Sequence, residues 1–121
     1  MELQKIDGEF TVCKIASTQQ IDLTQEYVFL SKTLDEISLV CKAEHAPSDA
    51  VAAEPGWKAL KVSGVLDFGM IGVLAKISNI LAEAEISIFV ISTYNTDYIL
   101  VKAEGLERAT RVLTHKGYTI R

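Results

Sequence analysis

The chain has 121 residues, 49% of them hydrophobic and 23% charged, with a formal net charge of −4 at pH 7. That length suits one domain or two very small modules sharing a core, and the composition excludes a disordered chain. The acidic balance and the lack of any Lys/Arg-rich run exclude a nucleic-acid binder, whose phosphate contacts need an excess of cations.

Met1 to Asp7 lacks the long apolar core of a signal peptide, and no apolar run approaches membrane-spanning length. A cytosolic protein with no membrane partner is therefore expected. Glu9 to Ser17 alternates as a strand, and Thr18 to Gln25 is a polar connection. Tyr27 to Lys32 and Glu36 to Lys42 read as a hairpin around Thr33-Leu34-Asp35. The Ala-, Pro- and acid-rich stretch 43–56 predicts a short helix over Ser48 to Ala53, stopped by Pro55-Gly56. That pair is the expected boundary between two modules, 1–55 and 56–121.

Trp57 to Val65 reads as a strand. Gly69 to Ala84 follows as a helix, with Met70, Val73, Leu74, Ile77, Ile80, Leu81 and Ala84 at helical spacing and Lys76, Asn79 and Glu83 on the wet face. Ile86 to Tyr94 and Tyr98 to Ala103 are apolar strands around Asn95-Thr96-Asp97. A second amphipathic helix, entered after Gly105, carries Leu106, Ala109, Val112 and Leu113. Gly117 closes it, and Tyr118-Thr119-Ile120 forms a last short strand. The order strand, helix, strand, strand, helix, strand defines an α+β fold: one antiparallel sheet with both helices on one face.

The chain also repeats itself. Leu30 to Val40 lies over Ile91 to Val101 at an offset of 61 residues, matching Ser31 to Ser92 and Glu36 to Asp97. The first strands, from Phe10 and from Trp57, match at an offset of 47, which leaves 14 residues missing from the first half. Those residues equal about four helical turns. The first half is thus the same module without its first helix, and two such modules would pack about a pseudo-twofold axis.

Several chemistries find no support. Cys13 and Cys41 each sit in an apolar, strand-like run, so buried reduced thiols are expected rather than a disulfide. His45 and His115 are far apart in sequence, and neither a metal nor a cofactor is expected. Asp67-Phe68-Gly69 spells a kinase magnesium motif without any of its partners, and Gly64, Gly69 and Gly72 do not make a nucleotide loop. Ser92, Asp97 and His115 lack a nucleophile elbow, so no enzyme is expected.

Two stretches remain. In "GVLDFGMIGVLAK", Gly64 to Lys76, the helix start leaves N–H groups without partners and carries positive dipole character. Asp67 is preferred as the helix cap, with ligand contact the alternative. Two glycines in a first helical turn each cost about 1 kcal/mol relative to alanine. Either tight packing on the sheet or close backbone access for an anionic group would offset that cost. In "STYNTDYILV", Ser92 to Val101, the polar residues serve either a hairpin turn alone or a ligand, in which case a carboxylate accepts an ammonium group. A helix N-terminus and an anionic strand end together suit a zwitterion, and a free amino acid is the obvious candidate.

On these stretches the second half resembles an ACT domain, the small βαββαβ module that binds amino acids and regulates metabolic enzymes. The whole chain is similar to short tandem-ACT proteins related to the regulatory half of aspartate kinases, and to the cytosolic arginine sensors of animal cells. The resemblance implies two ferredoxin-like ACT modules, the first lacking its first helix, with ligand held between neighbouring modules. It implies that Asp67, Phe68, Gly69, Met70, Ile71 and Gly72 line one wall. Ile91, Ser92, Thr93, Asn95 and Asp97 line the other, with Asp97 the ammonium partner. A non-enzymatic sensor or regulator, a homodimer and a regulated protein partner follow as expectations. The rival is an interaction module whose site is filled by Phe68, Met70 and Ile71.

Overall fold

The computed structural model describes residues 1–66 and 69–121; the expectations for Asp67 and Phe68 lie outside the described residues. In chain order the regular elements are β1 (Glu2–Lys5), β2 (Phe10–Ile15), β3 (Val28–Lys32), β4 (Ile37–Lys42), β5 (Ala52–Val62), α1 (Val73–Glu83), β6 (Ile88–Ser92), β7 (Asp97–Lys102), α2 (Leu106–His115) and β8 (Thr119–Ile120). They fall into two compact units. One is Gly8–Trp57; the other joins Met1–Asp7 to Lys58–Arg121.

In the unit Gly8–Trp57, β4 lies between β3 and β2, antiparallel to both. The hairpin expected around Leu34 is present. Cys13, Ile15, Leu39 and Cys41 form the core, and both thiols are free and buried. Lys42 Nζ sits 5.8 Å from the Phe10 ring centre and 5.7 Å from that of Tyr27, a cation–π pair that covers the end of the sheet.

The helix expected over Ser48 to Ala53 is not formed. A turn occupies Ser48 and Asp49, and Ala52 already opens β5, which continues through Pro55-Gly56. The reason is a bulge. Val12 pairs with Glu54 and Phe10 with Trp57, so β5 carries one residue more than β2 at this point. Proline, which has no N–H to donate, and glycine at φ +84° both suit a bulge. The pair that reads as a helix stop is therefore an irregularity inside an 11-residue strand.

The unit Met1–Asp7 with Lys58–Arg121 contains the expected βαββαβ order. β7 pairs with β5 and β6, while β1 stands between β5 and β8, antiparallel to the first and parallel to the second. α1 and α2 cover one face, placing Ile77, Leu81, Ala109 and Leu113 against Leu60, Val62, Ile99 and Val101. The N-terminal strand belongs to the same core: Leu3 is fully buried. A core leucine of this kind contributes about 2–5 kcal/mol relative to alanine.

The helix expected from Gly69 begins four residues later. Gly72 is its N-cap at φ +79°, a left-handed conformation that a helix cannot continue through, and Val73 is the first helical residue. Gly69 and Gly72 are thus outside the first helical turn. The N-cap position is Gly72, and no side chain among the described residues caps the helix.

The repeat is real, but its register is 60 rather than 61. Lys32 pairs with Ile37 as Ser92 pairs with Asp97, and Val28 with Cys41 as Ile88 with Val101. Thr33 N donates to Glu36 O as Thr93 N donates to Thr96 O. In each hairpin the threonine Oγ1 also donates to the same carbonyl. At this register Lys42-Ala43-Glu44 falls on Lys102-Ala103-Glu104, each Ala opening a short 3-10 turn.

Candidate functional site

The C-terminal end of the β5 segment and the β6–β7 hairpin are tied together at their tips. Thr96, buried, donates its hydroxyl to Val62 O at 2.7 Å. Asn95 O accepts from Leu66 N at 2.7 Å. These two bonds hold the hairpin tip against the connection that leads to α1. They leave a cleft of about 300 Å³ between the tip and the start of the helix.

One side of the cleft is the helix start: Gly72, Val73, Leu74 and Ala75, with Leu66 and Met70 from the connection. The first helical hydrogen bond recorded at this end runs from Lys76 N to Gly72 O at 3.0 Å. The N–H groups of Val73, Leu74 and Ala75 precede that bond, so they have no partner within the helix and carry the positive end of its dipole. Because Gly72 offers no side chain, nothing from its own cap competes for them.

The other side is the hairpin, Ser92 through Asp97. Ser92 and Asp97 are register partners, and Ser92 Oγ donates to Asp97 Oδ1 at 2.6 Å. That bond orients the carboxylate and leaves Oδ2 for another donor. Thr93 closes the turn through Thr96 O. Among the described residues no lysine or arginine forms an ion pair with Asp97. The cleft thus offers backbone donors on one wall and a single oriented carboxylate on the other.

Of the residues expected to form a site, Met70, Gly72, Ser92, Thr93, Asn95 and Asp97 are brought together here. Gly69 is in a turn ahead of the helix and is not among the lining residues. Ile71 is 94% exposed and lines an adjoining groove with Met1 and Tyr118, which shares Met70 and Val73 with the cleft. Ile91 is half-buried in β6, opposite Tyr98, and does not line the cleft. Leu66, Val73, Leu74, Ala75, Tyr94 and Thr96 also line the cleft and are not among the residues expected there. The signal for Thr96 was its place between Asn95 and Asp97. The helical spacing that puts Val73 and Leu74 on the apolar face gives no sign that they also border the cleft.

In class, this is a ferredoxin-like α+β domain whose cleft joins a helix N-terminus to a carboxylate-bearing hairpin. Residues 52–115 match the family model of the ACT domain, and the chain belongs to that family. Over 87 residues it is 34% identical to the cytosolic arginine sensor for mTORC1 subunit 1 of Homo sapiens, and equally to that of Bos taurus. The match covers 66% of this chain and 26% of the sensor, so the chain spans about a quarter of the curated relatives it matches. A crystal structure of an Agrobacterium tumefaciens protein superposes with a TM-score of 0.87 at 27% identity, covering 99% of this chain and 91% of that one. The regulatory subunit of aspartate kinase from Thermus thermophilus, 12% identical, shares the fold alone, with a TM-score of 0.65 over 93% of this chain and 95% of that one.

Proposed function

We propose that the chain is a non-enzymatic regulatory or sensor protein whose ligand is a free amino acid. The observation that carries this reading is the meeting, in one cleft, of α1 amides that have no partner within the helix and the Asp97 carboxylate. The amides donate hydrogen bonds to an α-carboxylate, and Asp97 Oδ2 accepts from the α-ammonium. Similarity to an arginine sensor supports a regulatory role. In this reading the protein is cytosolic, forms a homodimer, and passes ligand occupancy to a protein partner.

A second reading, an interaction module with no ligand, draws on the exposed apolar residues Val65 (74%) and Ile71 (94%) beside the cleft. Met70 and Ile71 do not fill the site, however, since both are exposed. Melting curves against the twenty amino acids at millimolar concentration separate the two. A ligand of the native state raises the melting temperature by mass action. A flat response across the panel would favour the interaction module.

A further inference from the structure

We infer that the sheet face of the unit Gly8–Trp57 that carries Leu30 docks an amphipathic, basic helix of a partner protein. The inference comes from comparing the two halves of the repeat. Their core residues correspond one for one: Cys13 and Ile15 to Leu60 and Val62, Leu39 and Cys41 to Ile99 and Val101. The hairpin register likewise sets Val28 against Ile88 and Leu30 against Val90. In the second half α1 and α2 cover this face, and Val90 packs against the core they close. All residues of Gly8–Trp57 are described, and none is in an α-helix. Ile21, Ala46 and Ala50 rest on its core instead. Leu30 is left 44% exposed, and Leu23, in the connection that stands in place of α1, is 75% exposed.

The length and charge of the occupant follow from the same unit. The 14 residues missing from this half would make a helix of about 21 Å. The six residues of β2 span about 20 Å, so a helix of about four turns matches the face. Its apolar stripe recurs at the i, i+3, i+4, i+7 spacing of a helix laid on an apolar surface. The unit carries eight carboxylates against three lysines, a net charge of −5 with His45 neutral. By strand alternation Lys14 and Lys42 belong to the opposite face, where Lys42 lies over Phe10 and Tyr27; Lys32 alone follows Val28 and Leu30. Asp22 and Asp49 are exposed and adjoin Ile21 and Ala50, which rest on this core. Carboxylates bordering an apolar face attract a helix with lysine or arginine flanks and repel an acidic one.

Three labelled 14-residue peptides, titrated with the full chain and followed by fluorescence anisotropy, test this. One has leucine at helical spacing and lysine elsewhere, one has glutamate in place of the lysines, and one has the leucine and lysine order scrambled. The first is expected to bind about tenfold or more tightly than the other two, and Leu30→Lys to weaken it about tenfold. Leu23→Lys serves as the second variant if Leu30→Lys lowers the melting temperature. Equal binding of the scrambled peptide would reduce the effect to charge attraction and overturn the inference. Tighter binding of the acidic peptide, indifference to both substitutions, or silence from all three peptides would overturn it as well. A dimer in sedimentation equilibrium that Leu30→Lys dissociates would give the face to a second copy of this chain, again overturning it. The inference does not depend on the cleft, and each of these outcomes leaves the amino-acid reading standing.

Discussion

Ser92 Oγ and Asp97 Oδ1 are 2.6 Å apart across the last register pair of the β6–β7 hairpin, with the serine donating to the carboxylate. The bond fixes one oxygen of a carboxylate that lines the cleft. Ser92→Ala removes the orienting donor but keeps the charge. Ligand affinity is then expected to fall about three- to tenfold, the worth of one net hydrogen bond of about 0.5–1.5 kcal/mol. Calorimetry reads the affinity, and the melting temperature without ligand should stay within about a degree, because Ser92 is exposed.

Thr96 has a different task. Its buried hydroxyl reaches Val62 O at 2.7 Å and ties the hairpin tip to the end of β5. Thr96→Val keeps the shape and loses the bond. A destabilisation of about 1 kcal/mol is expected, seen as a drop of a few degrees in the melting temperature.

Gly72 is required by its backbone rather than by crowding. At φ +79° it caps α1, and nothing lies within 4 Å of where a Cβ would stand. Gly72→Ala therefore pays only the left-handed strain of about 1–2 kcal/mol. Gly72→Asn should cost less, since asparagine tolerates this conformation and can cap the helix. Urea denaturation of the two variants gives the comparison, and equal losses would contradict the assignment.

The same glycine explains what the sequence hid. Met70, Val73 and Leu74 follow helical spacing, and the pattern carries the helix back to Gly69. The left-handed residue at 72 is a backbone property that no apolar pattern records. The N-terminal strand was invisible for another reason. Glu-Leu-Gln-Lys holds one apolar side chain, Leu3, and becomes a strand only by fitting between β5 and β8. The repeat was legible but slipped by one residue, because Ser31/Ser92 and Glu36/Asp97 match at 61 while the turn hydrogen bonds match at 60. α2 was plain: Gly105 precedes it, Ala109 and Leu113 are buried, and Gly117 at φ +98° ends it.

The thiols supply a pH dependence. Burial pushes Cys41 up from an ordinary 9.0 to about 11, with the neighbouring Cys13 and Glu44 adding to the shift. The native state therefore favours the protonated thiol. Its contribution to stability is fully present below about pH 9 and is lost as pH rises toward 11. Denaturation midpoints should fall across that window in the wild type and fall less in Cys41→Ala. A thiol reagent at pH 8 should label neither cysteine until the chain unfolds.

The corrected repeat register sets the stoichiometry. At an offset of 60, Asp97 corresponds to Ile37 and Ser92 to Lys32, so the hairpin of the unit Gly8–Trp57 has no carboxylate at the matching position. One ligand per chain is expected.

The most direct measurement is a calorimetric titration of the wild type and Asp97→Ala with the amino acid that most raises the melting temperature. Wild type is expected to bind one ligand per chain. The variant should lose about ten- to a hundredfold in affinity, the worth of a hydrogen bond to a charged group, while melting without ligand as the wild type does. Undiminished binding by Asp97→Ala would contradict the assignment of the ammonium site to the β6–β7 hairpin.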